Sequence, residues 1–382
     1  MATLPQAPGA LPFADYTAIT ADEIRARTWV AKRALGERLV ILGHHYQRDS
    51  VVEFADLRGD SLKLSQLASE QERAEFIVFC GVHFMAESAD VLRRPHQTVI
   101  LPDLKAGCSM ADMADLEQVE EAWERLAAAH GDTIVPVTYM NSTAALKAFC
   151  GRHGGVVCTS SNARAVLEWA WARKARVLFF PDQHLGRNTA FAMGVPHEAM
   201  AEWEYRVPDL DRINARCYRP ETKMILWRGW CSVHTKFHPT QIAEVRAADP
   251  NVKVMVHPEC PFEVVQQADL AGSTEFIIQQ VEAAPAGSHW AIGTEINLVH
   301  RLATEHPDQN IHSLQKNVCP CATMNRIDPA HLLWVLENLV AGHVVNAIHV
   351  PEDERVQAKL ALDRMLALKG DGALAQSAMA ND

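Results

Sequence analysis

The sequence lacks any uninterrupted apolar run near the ~18 residues that a membrane-spanning helix needs, so it offers no candidate span. It also lacks an excess of positive charge: 36 Lys and Arg face 47 Asp and Glu, a formal net charge of −11. That balance argues against binding nucleic acid through general electrostatics, but a pocket can still be locally positive in an acidic protein. Met1–Phe13 holds three prolines and no positive segment, and does not read as a secretory signal. No Cys-x-x-Cys pair is present, which removes the usual zinc ribbon. What remains is an ordinary globular composition, 48% apolar and 22% charged over 382 residues, enough for two or three domains at roughly 100–200 residues each. Nine cysteines, an odd number in a long chain, read as thiols of a reducing, cytoplasmic compartment. Eighteen histidines raise the expectation of metal or acid–base chemistry.

Short apolar runs alternate with helical patterns, the signature of a parallel α/β architecture. Strands are expected at Leu39–Leu42, Phe76–Cys80, Thr98–Leu101, Thr133–Val137, Val156–Cys158, Val177–Phe180, Met224–Trp227, Val252–Val256, Glu275–Ile278 and His289–Ile292. Helices are expected from Thr20, where Glu23 completes a capping-box pattern, and over Asn162–Lys174 and Leu332–Ala341. Val195–Thr222 reads as irregular, and Gly370–Asp382 as a frayed tail.

An internal repeat organises the chain. Three strands end in polar pairs one residue apart: His44 and Tyr46, Tyr139 and Asn141, His257 and Glu259. A hydroxyl opens a helical pattern 17, 21 and 17 residues after each pair begins, at Ser61, Ser160 and Thr274. A cysteine follows the same starting points by 64, 92 and 64 residues, at Cys108, Cys231 and Cys321. We read three related α/β units: 36–125 with Cys108, 126–245 with Cys231 and 246–345 with Cys321. An arm and helix at 1–35 and a helix and tail at 346–382 flank them.

Ligands of open parallel sheets bind beyond the carboxyl ends of the strands, and helix N-termini there suit carboxylate and phosphate. Each hydroxyl taken alone could be a plain N-cap. Three separated cysteines could be buried inert thiols. They could also hold an iron–sulfur cubane whose fourth iron stays open to substrate.

The ordered motifs Gly-His-His-Tyr-Gln (43–47), Ala-Gly-Cys-Ser-Met-Ala (106–111), Thr-Tyr-Met-Asn (138–141), Pro-Asp-Gln-His-Leu-Gly (181–186), Trp-Arg-Gly-Trp-Cys-Ser-Val-His (227–234), His-Pro-Glu-Cys (257–260), Gly-Thr-Glu (293–295) and Cys-Ala-Thr-Met (321–324) resemble the quinolinate synthase family. The likeness runs in order from about residue 38 to 340. It implies αβα sandwich units with parallel sheets in a pseudo-threefold arrangement around a central cleft. It further implies a [4Fe-4S] cluster with three cysteine ligands and one open iron, condensing iminoaspartate with dihydroxyacetone phosphate to quinolinate. L-aspartate oxidase would supply the first substrate, and neither nucleic acid nor membrane would be a partner.

Carried over motif by motif, the resemblance makes Cys108, Cys231 and Cys321 the metal ligands. Cys319, two residues before Cys321, is the competing choice for the third. Glu259, Tyr46, His234 and Tyr139 become catalytic. His44, Ser61, Tyr139, Asn141, Ser160, His257, Glu259, Ser273 and Thr274 contact substrate. Glu259 is expected to carry a pKa raised toward neutrality by its enclosed site. Two other readings compete: a hydro-lyase acting on another small dicarboxylate, and a metal-sensing regulator.

Overall fold

A computed structural model of the chain describes residues 9–370 and 372–374. Its strands form three sheets in which every ladder is parallel. The first contains β1 (Leu39–His44), β2 (Leu57–Gly59), β3 (Phe76–Cys80) and β4 (Thr98–Ile100), in spatial order β2-β1-β3-β4. The second contains β5 (Ile134–Tyr139), β6 (Val156–Cys158), β7 (Arg176–Phe180), β8 (Met200–Trp203) and β9 (Met224–Trp227), in order β6-β5-β7-β9-β8. The third contains β10 (Lys253–Val256), β11 (Leu270–Ala271), β12 (His289–Gly293) and β13 (Asn310–Ser313), in order β11-β10-β12-β13. Without the edge strand β8, all three orders follow one pattern, so the repeat in sequence is also a repeat in topology. The polar pairs fall in the same place each time, at the carboxyl end of the strand that begins each sheet.

Parallel strands covered on both faces read as continuous apolar runs, and β1 and β5 are buried along their whole length. That is why the long strands were legible. The expected strand Glu275–Ile278 is instead part of the helix Thr274–Glu282. Ser273 caps it by accepting from the Phe276 N–H at 3.2 Å, and Ile277 and Val281 bury one helical face. A three-residue apolar run such as Phe276–Ile278 fits either period, and here the cap decides. Val195–Thr222 is also more regular than expected: it supplies β8 and the helix Leu210–Ile213, widening the second sheet by one strand. The remaining unforeseen strands, β2, β11 and β13, run only two to four residues.

The chain divides into two compact units, 1–108 with 320–351, and 109–319 with 352–382. The first holds the first sheet. Its helix Ala21–Leu35 begins at the Thr20 cap and lies along the helix Pro329–Val340, where Glu337 accepts from Arg27 and from the Tyr16 hydroxyl, each at 2.7 Å. The second unit holds the other two sheets and the helix Glu352–Ala367. This helix packs so closely on Ala144–Arg152 that a Cβ on Gly151 would lie 1.9 Å from the Gln357 carbonyl oxygen.

The expected fraying of Gly370–Asp382 is overturned for its described part. The Gly372 N–H donates to Ser161 O at 3.1 Å, and Gly372 O accepts from Ser273 N–H at 2.8 Å. The Leu374 N–H donates to Ala271 O at 2.9 Å. Asp371 and residues 375–382 lie outside the described residues.

Candidate active site and metal centre

In the first unit, His44 ends β1 buried and stacks edge-on with Tyr46 at 4.8 Å, while its Nδ1 accepts from the Tyr46 N–H at 3.1 Å. Ser61 is the first residue of the helix Ser61–Glu70, but the capping bond is made by Asp60, which accepts from Lys63 N–H at 2.9 Å. Cys321 opens a turn in which its carbonyl accepts from Asn325 N–H at 3.0 Å and its sulfur lies 3.5 Å from Thr323 Oγ1. Gln47, beyond the tip of β1, donates to Met324 O in that turn at 3.0 Å. Asp103 orders the loop leading to Cys108 by accepting from Lys105 N–H at 2.9 Å, and pairs with Arg326 at 2.8 Å. One carboxylate thus links the two cysteine-bearing segments of this unit.

In the second unit, the tips of β5 and β10 converge on Glu259, which is 3% exposed. Tyr139, the last residue of β5, donates its hydroxyl to Glu259 Oε1. His234 Nδ1–H donates to Glu259 Oε2 at 2.7 Å, leaving Nε2 facing Thr294 Oγ1 at 3.2 Å. His257 stacks on His234 with centroids 4.5 Å apart and accepts from the Glu259 N–H at its Nδ1. Cys231, His234 and Glu259 each bring one donor atom to within 4.8 Å of the others. The strand tips therefore assemble a hydrogen-bonded Tyr–Glu–His group beside a thiol.

The electrostatics of Glu259 correct the sequence expectation. Burial does raise its pKa, but the neighbouring His234 and His257 and the hydrogen bonds from His234 and Tyr139 outweigh burial and hold it down at about 2. The carboxylate is ionised. Burial drives His257 down to about 3. It also drives His184 down to about 4, with Arg187 adding to the effect. Asp182 goes the other way, pushed well above the usual carboxyl range by burial and then by Glu259.

The anion-suited residues line up with the repeat. Ser160 stands two residues before Asn162, which precedes the helix Ala163–Trp171. Ser273 and Thr274 start the third-sheet helix and are buried. Ser160, Asn162, Thr189 and Pro258 face one cavity of about 430 Å³ together with Gly372 of the tail. Asn141 follows the β5 tip half-buried.

The thiols sort into classes. Cys80, Cys150, Cys158, Cys217 and Cys260 are buried, and burial raises the pKa of each, to about 12 for Cys80 and Cys217. A metal would have to displace both the proton and the packed side chains around these five thiols. Cys319 is exposed, whereas Cys108, Cys231 and Cys321 are half-exposed and stand outside the strands and helices. Thiols of this kind are what an iron–sulfur centre takes as ligands.

Sequence reasoning passed over Thr294, Asp182, His184 and Asn188. All lie in or next to the Gly-Thr-Glu and Pro-Asp-Gln-His motifs, which stood out in the sequence but suggested no role by spacing.

The chain matches the family model described as NadA, quinolinate synthetase A protein, over residues 28–367. It is similar to the quinolinate synthase of a Nocardioides species, 58% identical over 373 residues that cover 96% of this chain and 93% of that one. It is also similar to the quinolinate synthases of Geobacillus thermodenitrificans and Anoxybacillus flavithermus, each 56% identical and covering 92% of this chain and 95% of the relative. The chain belongs to the quinolinate synthetase A family of enzymes.

Proposed function

We propose that the chain condenses iminoaspartate with dihydroxyacetone phosphate to give quinolinate, inorganic phosphate and two waters. The atoms balance without oxidant or reductant, so the chemistry is formation of one carbon–carbon and one carbon–nitrogen bond, with proton transfers and elimination of phosphate and water. The observation that carries the reading is the buried Glu259 carboxylate gripped by Tyr139 and His234 at two strand tips beside Cys231.

Cys108, Cys231 and Cys321 would hold the [4Fe-4S] cluster, supported by their half-exposure against five buried thiols. When bound, a cluster with three protein thiolates supplies one Lewis-acidic iron open to substrate. The ordered turn after Cys321 favours it over the exposed Cys319.

The protein's own groups divide the remaining work. Glu259, held ionised, takes a proton from substrate carbon. Once protonated, Glu259 is itself the group that returns a proton to a departing oxygen, while Tyr139 and His234, which both donate to it, hold its two oxygens in place. Ser61, Ser273 and Thr274 at helix starts, and Ser160 in the turn before the helix Ala163–Trp171, hold carboxylate and phosphate, with His44, Tyr46, Asn141 and His257 shaping the pocket. Loss of water and phosphate favours a site that excludes bulk solvent, and the burial of His234, His257 and Glu259 supports this.

Among the described residues no helix is long and apolar enough to cross a membrane. The nine thiols fit a reducing cytoplasm, where L-aspartate oxidase would supply the unstable iminoaspartate. The test is anaerobic turnover of the two substrates, following quinolinate and phosphate together. Equimolar release of both supports the proposal, and phosphate without quinolinate overturns it.

A further inference from the structure

The motif Pro-Asp-Gln-His-Leu-Gly opens the helix Gln183–Ala192, and none of its residues enters the chemistry above. About one and a half turns along that helix stands Asn188, wholly buried. Its side-chain amide donates to Pro258 O at 2.8 Å and to Cys260 O at 2.9 Å. These are the carbonyls on either side of Glu259. Both amide protons are spent on one turn, the turn that presents the carboxylate.

The helix carrying Asn188 is fixed at its own start. Asp182 caps it by accepting from Leu185 N–H at 2.5 Å, and Gln183 N–H donates to Gly229 O at 3.0 Å, two residues before Cys231. A Cβ on Gly229 would lie 2.2 Å from Pro181 O, so the loop and the helix start are packed backbone to backbone. The turn itself is closed by Cys260 N–H donating to His257 O at 3.0 Å. Tyr139 belongs to the second sheet, as does the helix of Asn188, whereas Glu259 belongs to the third. The Tyr139–Glu259 hydrogen bond therefore joins the two sheets and depends on how they are registered. Asn188 grips the carbonyls of Pro258 and Cys260, which flank Glu259, across the same junction.

We infer that Asn188 is a positioning residue that sets Glu259 in line with Tyr139 and His234. A backbone clamp is the suitable device, because a carboxylate oriented only by the groups it serves would move with them. Removing both donors leaves two buried carbonyls unsatisfied and lets the turn shift. A shift on the order of 1 Å at such a group can cost about 100-fold in rate. This inference rests on the catalytic reading of Glu259 and Tyr139, and the experiment separates the two.

The test is a kinetic cycle on the cluster-loaded enzyme with Asn188→Leu, Tyr139→Phe and the double variant. Asn188→Ser, which keeps a single donor, is added in case leucine impairs folding. Iron content and Tm are measured for each. The expected result is a kcat at least about tenfold lower for Asn188→Leu with KM nearly unchanged, a smaller loss for Asn188→Ser, and little further loss when Asn188→Leu is added to Tyr139→Phe. A lowered Tm with kcat intact, or losses that multiply in the double variant, would make Asn188 a purely structural clamp and overturn the inference. If Tyr139→Phe and Glu259→Gln also turn over normally, the catalytic reading itself fails instead.

Discussion

Asp103 and Arg326 stand 223 residues apart in sequence and meet in an ion pair at 2.8 Å. Asp103 lies five residues before Cys108 and Arg326 five after Cys321, so the pair ties together two loops whose only shared feature in sequence is a cysteine. Partners that orient metal ligands from behind typically contribute about 10–100-fold in metal affinity. Asp103→Ala and Arg326→Ala should therefore each retain less iron than the parent chain after desalting, with little added loss in the double variant. Full retention by both single variants would leave the pair an ordinary surface contact.

Glu259 and Tyr139 bear the proton-transfer reading. Glu259→Gln keeps the shape and most hydrogen-bonding capacity but cannot accept a proton, and kcat should fall about 10²–10⁴-fold with iron content unchanged. Tyr139→Phe should lose less, since His234 still holds the carboxylate. Steady-state kinetics alongside iron analysis read both effects. Near-normal turnover of Glu259→Gln would take it out of the chemistry.

The described tail is a clasp, and Gly372 is its critical point. Its φ of +75° lies in the left-handed region, and a Cβ there would lie 2.5 Å from Ser273 Oγ. Gly372→Ala should cost roughly 1–2 kcal/mol from the backbone alone, and more if Ser273 gives up its cap. Because Gly372 bonds to Ser161 and Ser273, next to the proposed anion-binding hydroxyls, KM should rise more than kcat falls. Thermal melts and KM values test this, and an unchanged Tm would show that the tail does not depend on that glycine.

Buried neutral histidines make the fold sensitive to acid. The folded pKa of His257, about 3, lies below its unfolded value near 6.5. Below pH ~6.5 the unfolded chain takes up the proton first, so this group's contribution to stability is full above that pH and is lost as pH falls toward 3. The slope is at most about 1.4 kcal/mol per pH unit. Asp182, with a raised folded pKa, contributes in the opposite sense, so the clean comparison is between variants. His257→Asn, whose Oδ1 can still accept from the Glu259 N–H, should flatten the fall of Tm between pH 6.5 and 4. Parallel Tm curves for the two proteins would contradict the assignment.

Much of this molecule was readable in advance because its sheets are parallel and covered on both faces. Strands such as Phe76–Cys80 and Met224–Trp227 then appear as unbroken apolar runs, and the polar pairs that close β1, β5 and β10 stand out. β8 was hidden because Met200–Trp203 is a short run in a polar stretch, and only its pairing with β9 makes it a strand. The ionisation of Glu259 was misread because enclosure was visible in the sequence, whereas two imidazoles and a phenol turned toward one carboxylate were not. Asn188 was invisible for a related reason: its meaning lies in two backbone carbonyls 70 and 72 residues away.

The central claim is that three particular thiols hold an iron–sulfur cluster, and anaerobic iron and sulfide analysis of single cysteine variants tests it most directly. Cys108→Ser, Cys231→Ser and Cys321→Ser should each lose the roughly four irons expected of a cubane, whereas Cys319→Ser and Cys80→Ser should keep them. A parent chain that binds zinc instead of iron, or a Cys321→Ser variant that keeps its iron while Cys319→Ser loses it, would contradict the ligand set proposed here.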